Sequence, residues 1–118
     1  MNSHINTLET GKDGEDFVCN RISQNGYKIL ARNIRERFAE IDIVAMDNDT
    51  LVFIEVRTRV TDELGHPAET VSLKKQQHIR RAAEFYLIKN KITNIPVRFD
   101  VATIIWNKRQ FEYFENAF

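Results

Sequence analysis

Glu40-Ile-Asp-Ile-Val-Ala-Met-Asp-Asn-Asp-Thr-Leu-Val-Phe-Ile-Glu-Val-Arg57 consists of two runs rich in Ile, Val and Phe around the turn-forming cluster Asp47-Asn48-Asp49-Thr50. β-branched and aromatic residues suit a pleated strand, and Asn and Asp suit the tight connection between two of them. The segments Glu40 to Met46 and Leu51 to Arg57 are therefore expected to form a β-hairpin. With Asn48 and Asp49 as the two loop residues, Asp47 pairs with Thr50, Asp42 falls opposite Glu55, and Glu40 falls opposite Arg57. Side chains alternate between faces along a strand. Ile41, Ile43 and Ala45 then share a face with Val52, Ile54 and Val56, and Val44 and Met46 share the other with Leu51 and Phe53. A hairpin that is apolar on both faces needs cover on both sides, which points to an α/β layer structure.

Outward from the hairpin, Lys12 to Asn25 reads as a helix. Gly14, Phe17, Val18 and Ile22 recur on one side, and Gly26 suits a C-terminal cap. Tyr27 to Ile34 reads as a strand with Tyr27, Ile29 and Ala31 on one face. Thr58 to Val71 holds Gly65 and Pro67 and lacks periodicity, so it is expected to be a long surface loop. A second helix is predicted from the N-cap Ser72 to about Lys89, with a stripe of Leu73, Ile79, Ala83 and Leu87 and with Lys74, Lys75, His78 and Arg81 largely off it. Val97 to Ile105 and Gln110 to Phe114 are strands around a turn at Trp106 to Arg109. The predicted order is α-β-β-β-α-β-β in a single domain over residues 1–118, with 1–10 a flexible tail.

Whole-chain properties exclude several classes of function. Seventeen basic residues balance seventeen acidic ones, so a strong nonspecific polyanion binder is disfavoured and any nucleic-acid site must be local. A single cysteine, Cys19, cannot close an intramolecular disulfide or a zinc ribbon, and it reads as a small buried hydrophobe. His66 and His78 lack a second imidazole or thiolate at metal spacing and read as surface residues, and His4 falls in the tail. With no run of about 18 apolar residues and no leader-like N-terminus, a cytoplasmic protein without membrane attachment is expected.

Asp42 and Glu55 carry the chemistry. Each stands in otherwise apolar sequence, where a charge is costly unless paired or bound to a metal. Two carboxylates about 4 Å apart repel by roughly 4 kcal/mol at an effective dielectric near 20. A shared proton, a nearby cation such as Arg57, or a hard metal ion would offset this, and Mg²⁺ suits two carboxylates because it takes oxygen ligands and keeps several waters. The competing reading is strand-end charges in solvent, with Glu40 paired to Arg57.

Gly11-Lys-Asp-Gly-Glu15, Gly26-Tyr-Lys-Ile-Leu30, Arg32-Asn33, Glu40-Ile-Asp42-Ile-Val44, Leu51-Val-Phe-Ile-Glu55-Val-Arg57, Lys75-Gln76 and Arg98-Phe-Asp100-Val101 resemble, in order, the motifs of the YraN family. That family is uncharacterised and is similar to restriction-endonuclease-like PD-(D/E)XK nucleases and to archaeal Holliday-junction resolvases. The resemblance implies a restriction-endonuclease-like fold, a central mixed sheet flanked by helices. It also implies metal binding by Asp42 and Glu55, with Mg²⁺ or Mn²⁺ as cofactor. The lysine usual two residues beyond the glutamate is here Arg57, whose guanidinium stays protonated and stabilises phosphate charge without acting as a base. Ala39 stands where the family usually has glycine. Glu15 resembles a third, helix-borne carboxylate, although favourable charge in a first helical turn explains it as well. Gln76 resembles a glutamine found beside such active sites. Lys75 and Arg80 are candidate phosphate contacts. Asp100 is left outside the catalytic set as a partner for Arg98 or Arg32.

The leading expectation is a metal-dependent endonuclease with Asp42, Glu55, Arg57, Glu40 and Gln76 as catalytic residues, acting on DNA in preference to RNA, branched DNA included. A branched substrate would call for two sites and hence a homodimer. The alternative is a catalytically inactive nuclease-fold module that binds nucleic acid or acts in assembly.

Overall fold

A computed structural model describes residues 7–37, 39–59 and 71–118, with side chains described from residue 12 onward. The elements are α1 (Thr7–Gln24), β1 (Lys28–Arg35), β2 (Glu40–Asp47), β3 (Thr50–Arg59), α2 (Leu73–Lys89), β4 (Val97–Ile105), a short 3-10 turn (Trp106–Lys108) and β5 (Gln110–Phe114). They form one five-stranded sheet in the order β1-β2-β3-β4-β5. Every neighbouring pair is antiparallel except β3 and β4, which run parallel and are joined across a face of the sheet by α2. The sheet is mixed, helices cover both faces, and the arrangement is consistent with a restriction-endonuclease-like fold.

Each face has its own core. Val18, Cys19 and Ile22 of α1 pack on Ile43, Ala45, Val52, Ile54, Ala102 and Ile104. Ile79, Ala82, Ala83 and Tyr86 of α2 pack on Val44, Leu51, Phe53, Phe99 and Val101. Burial of each Val, Leu, Ile or Phe side chain among them contributes about 1.5–3 kcal/mol relative to exposure, and each alanine less. The hairpin register is the expected one, from Asp47 with Thr50 to Ile43 with Ile54. Asn48 takes a positive φ of 56° in the turn, a conformation Asn tolerates. Among the described residues, no helix is long and apolar enough to cross a membrane.

The structure departs from the sequence pattern in four places. Ile41 packs with Val44 and Phe53 beneath α2 and not with Ile43, so strict alternation breaks around Asp42. A register shift between Ile29 and Ala31 turns Ala31 to the α2 face while Tyr27 and Ile29 stay on the α1 face. β3 runs on to Arg59, so Thr58 and Arg59 are ladder residues beside Ile104 and Ile105; residues 60–70 of the expected loop lie outside the described residues. α1 begins at Thr7, inside the segment expected to be a tail.

The phase of α2 also differs. Its buried residues are Ile79, Ala82, Ala83 and Tyr86, whereas Leu73 is 69% exposed. At 100° per residue Leu73 lies about 120° from Ile79, but Lys75 lies only about 40° away. Lys75 therefore continues the sheet-facing stripe at its N-terminal end. Ser72 caps this end, its side chain accepting a hydrogen bond from the Lys75 backbone N–H at 3.2 Å.

On the α1 face, Asp100 is fully buried and fully served. Arg98 donates to both of its oxygens at 2.9–3.1 Å, the Tyr113 hydroxyl donates at 2.6 Å, and the Asn116 backbone N–H donates at 3.0 Å. Arg98 also reaches Asp47 at 3.0 Å and the Tyr27 hydroxyl at 2.7 Å. Burial beside Asp100 holds the Tyr113 phenol well above its ordinary range. This network ties the residue before β1, the hairpin turn and the C-terminal residues together, and of the two arginines expected from sequence it is Arg98 that pairs with Asp100.

Gly14 sets how closely α1 approaches β3. A Cβ at this position would overlap the Thr58 side-chain oxygen. Alanine is ordinarily the better helix former by about 1 kcal/mol, yet Gly14→Ala should lower the unfolding free energy by about 1–3 kcal/mol in urea titrations through overpacking. Adding Thr58→Ala should restore part of the loss. A single variant as stable as the parent would contradict the close approach.

Candidate functional site

The β2–β3 ladder closes at Ile43 and Ile54, and the next residues of the two strands are Asp42 and Glu55. In place of a backbone acceptor, the Asp42 carboxylate accepts the Val56 backbone N–H at 2.8 Å. Glu55 is only 8% exposed and lies on the α2 face with Phe53. The sheet-facing phase of Lys75 brings its Nζ to 2.7 Å from Glu55 Oε2. Together they bound a cavity of about 390 Å³ lined by Ala39, Glu40, Asp42, Glu55, Ser72, Lys74, Lys75 and His78. Its sheet side is acidic, and its helix side carries Lys74, Lys75 and His78, with His78 the i+4 neighbour of Lys74 and the i+3 neighbour of Lys75.

Burial first and the charge of Glu55 second push the Asp42 carboxyl up to about 7, with the Val56 N–H opposing both and Glu15 and Glu40 adding smaller upward contributions. The Glu15 carboxyl is also raised, by burial first, against hydrogen bonding from Asn33 and Arg32. Lys75 thus leaves the repulsion between the two carboxylates incompletely offset.

Comparison with known proteins agrees with the motif reading. Residues 14–104 match the family described as "Uncharacterised protein family UPF0102". The chain belongs to that family. A UPF0102 protein of Persephonella marina is 44% identical over 92% of this chain and 91% of its own length. Those of Clostridioides difficile and Dictyoglomus turgidum are 39% and 40% identical, each over 97% of this chain and 100% of their own. The family carries no named activity.

Of the residues singled out in this UPF0102 chain, Glu40, Asp42, Glu55 and Lys75 meet at the cavity. Glu40 pairs with Arg35 at 3.9 Å. Arg57 follows Glu55 along the same face, beside Thr103 of β4, and is outside the cavity lining. The Gln76 amide donates to the Val71 carbonyl at 2.8 Å, which secures the entry to α2. Glu15 lies 3.6 Å from Arg32. Arg80 lies over the Phe99 and Phe118 rings, at 4.6 and 5.7 Å from their centroids, away from the cavity. His78, read from sequence as a surface residue, lines the cavity, as do Ser72 and Lys74. His4 and His66 lie outside the described residues.

The donor set fits a hard divalent cation with two protein ligands. One Asp42 oxygen is engaged by Val56 and the other is available, and Glu55 meets a cation already. Among the described residues, no group of three or more His, Cys, Asp or Glu side chains is placed to hold a metal, so Glu15 does not complete a triad. A Mg²⁺ ion here would keep most of its ligands as water, as that ion commonly does.

The raised carboxyl has a sign that can be checked. Between pH 4 and 7 the folded chain keeps a proton on Asp42 that the unfolded chain loses, so this residue's contribution to stability is full below about pH 4 and is lost as pH rises through about 7. The loss is on the order of 4 kcal/mol at most. Urea titrations from pH 4.5 to 8 without divalent ions should show this decline flattened in Asp42→Asn. An unchanged pH slope in the variant would refute the assignment.

Proposed function

We propose that this UPF0102 chain is a metal-dependent phosphodiesterase acting on nucleic acid, with DNA ahead of RNA. The observation that carries the reading is the meeting of Asp42 and Glu55 with Lys74, Lys75 and His78 across one cavity. A phosphodiester needs both walls, carboxylates to hold a cation and ammonium groups to attract the phosphate. The preference for DNA rests on the resemblance to resolvases and restriction-type nucleases.

Asp42 and Glu55 would hold Mg²⁺ or Mn²⁺, which when bound lowers the pKa of a water and screens charge on the phosphate. Val56 fixes one Asp42 oxygen and so orients the carboxylate. Glu40 adds negative potential at the rim, and Lys74 and Lys75 draw the phosphate toward the acidic floor. Arg57, next after Glu55 along the same face of β3 and beyond the cavity lining, would add charge stabilisation for a phosphate that extends past the cavity. Gln76 acts indirectly by holding Val71, which precedes the Ser72 cap.

A second reading is a nuclease-fold module that binds nucleic acid without turnover. The 2.7 Å pair between Lys75 and Glu55 favours it, because a neutralised carboxylate can be purely structural. Incubation with branched, flapped and duplex DNA in Mg²⁺ or Mn²⁺ separates the two. Cleavage that is abolished in Asp42→Ala and in Glu55→Gln is the expected result. Cleavage that persists in Asp42→Ala, or none on any substrate together with salt-dependent binding unaffected by Glu55→Ala, would overturn the catalytic reading.

A further inference from the structure

Lys75 and Glu55 form an unequal pair. The Glu55 side chain is 9% exposed and fixed in the sheet, while that of Lys75 is 52% exposed. The root of Lys75 is anchored, since its backbone N–H is bound to Ser72 Oγ at 3.2 Å. Its tip is a hydrated ammonium on a flexible four-carbon stem that reaches water readily, provided another cation takes its place on the buried carboxylate.

We propose that Lys75 is an exchangeable counter-cation that holds Glu55 in the metal-free protein, yields this carboxylate to a divalent cation, and carries its freed ammonium to the phosphate of the bound nucleic acid. The proposal rests on the metal-dependent reading above and adds an order of events at that site. Electrostatics require the exchange. A dication and an ammonium on the same glutamate repel each other with twice the energy of two unit charges at that separation, and little water intervenes around so buried a carboxylate. Lys74, His78 and the capped start of α2 line the cavity beside the displaced side chain, so the ammonium moves within a cation-lined wall that already suits an anion. Phosphate accepts a lysine as a point charge from many directions, so no second rearrangement is needed.

The exchange gives Lys75 two effects of opposite sign, which a simple structural ion pair would not show. Removing it should strengthen metal binding while weakening nucleic-acid binding. Calorimetric titration of the full chain with Mn²⁺ at fixed ionic strength should show Lys75→Met binding roughly tenfold tighter than the parent, a gain of ~1.4 kcal/mol. Lys75→Arg should stay close to the parent because it keeps the charge on Glu55. Lys74→Met, which removes the same charge from the same cavity wall, should change the affinity less than about twofold at a salt concentration that screens exposed charges. Binding of a duplex oligonucleotide by Lys75→Met in Ca²⁺ should weaken, with the salt slope reduced by about one phosphate contact. Unchanged or weaker Mn²⁺ binding in Lys75→Met, or an equal gain in Lys74→Met, would overturn the exchange. If the parent binds Mn²⁺ in an Asp42-dependent manner but Lys75 has no influence, the exchange alone fails. If none of these chains binds Mn²⁺, the metal-dependent reading fails with it.

Discussion

Asp42 and Glu55 repel each other from adjacent strands at a point where the surrounding sequence is otherwise aliphatic, and the local structure is organised around reducing that repulsion. The ladder stops one residue short of them, which frees the Val56 N–H to donate to Asp42. α2 crosses the sheet in the phase that delivers Lys75 to Glu55. Ile41 departs from strand alternation and fills space beneath α2 next to the acidic pair. Even so the compensation is incomplete, since burial and Glu55 still raise the Asp42 carboxyl to about 7. A carboxyl shifted this far beside a like charge in a cavity marks the pair as a candidate functional site.

The other buried acid shows what complete compensation looks like. Asp100 sits on the opposite face of the sheet with Arg98, Tyr113 and Asn116 meeting both of its oxygens. Nothing is left over for a ligand. Removing one partner from such a set is strongly destabilising, because it strands a buried charge. The contrast between the two acids separates a fully satisfied network from the incompletely compensated pair on which the proposed cation site rests. Membership of the UPF0102 family then places this pair in a group of proteins whose activity is unnamed.

Much of this was legible in the residues. The turn formers Asn48 and Asp49 and the period of two together set the hairpin register, which holds from Asp47 with Thr50 to Ile43 with Ile54 and so places Asp42 and Glu55 next on the two strands. β4 and β5 were readable to the residue because an apolar run is bounded on one side by Pro96 and on the other by the turn at Trp106–Lys108. The phase of α2 was not, because Leu73 is apolar and Lys75 polar, and only the tertiary demand of Glu55 reverses their roles. His78, Ser72 and Lys74 became site residues for the same reason, since their place depends on where the crossover helix sits over β2. A clue was present in the spacing of Lys75 from Ile79, Ala82, Ala83 and Tyr86, which is that of one helical stripe. The bulge at Leu30 left no comparable sign, and the resemblance of Gln76 to an active-site glutamine did not reveal that its amide is spent on Val71.

The central claim, that Asp42 and Glu55 form a cation site, is tested most directly by nuclear magnetic resonance of the isotopically labelled chain with substoichiometric Mn²⁺. Paramagnetic broadening falls off steeply with distance from the ion, so the amide signals of Asp42, Glu55 and Val56 should vanish first while those of Asn48 and Asn116 persist. Broadening centred elsewhere, or none at these three residues, would contradict the account.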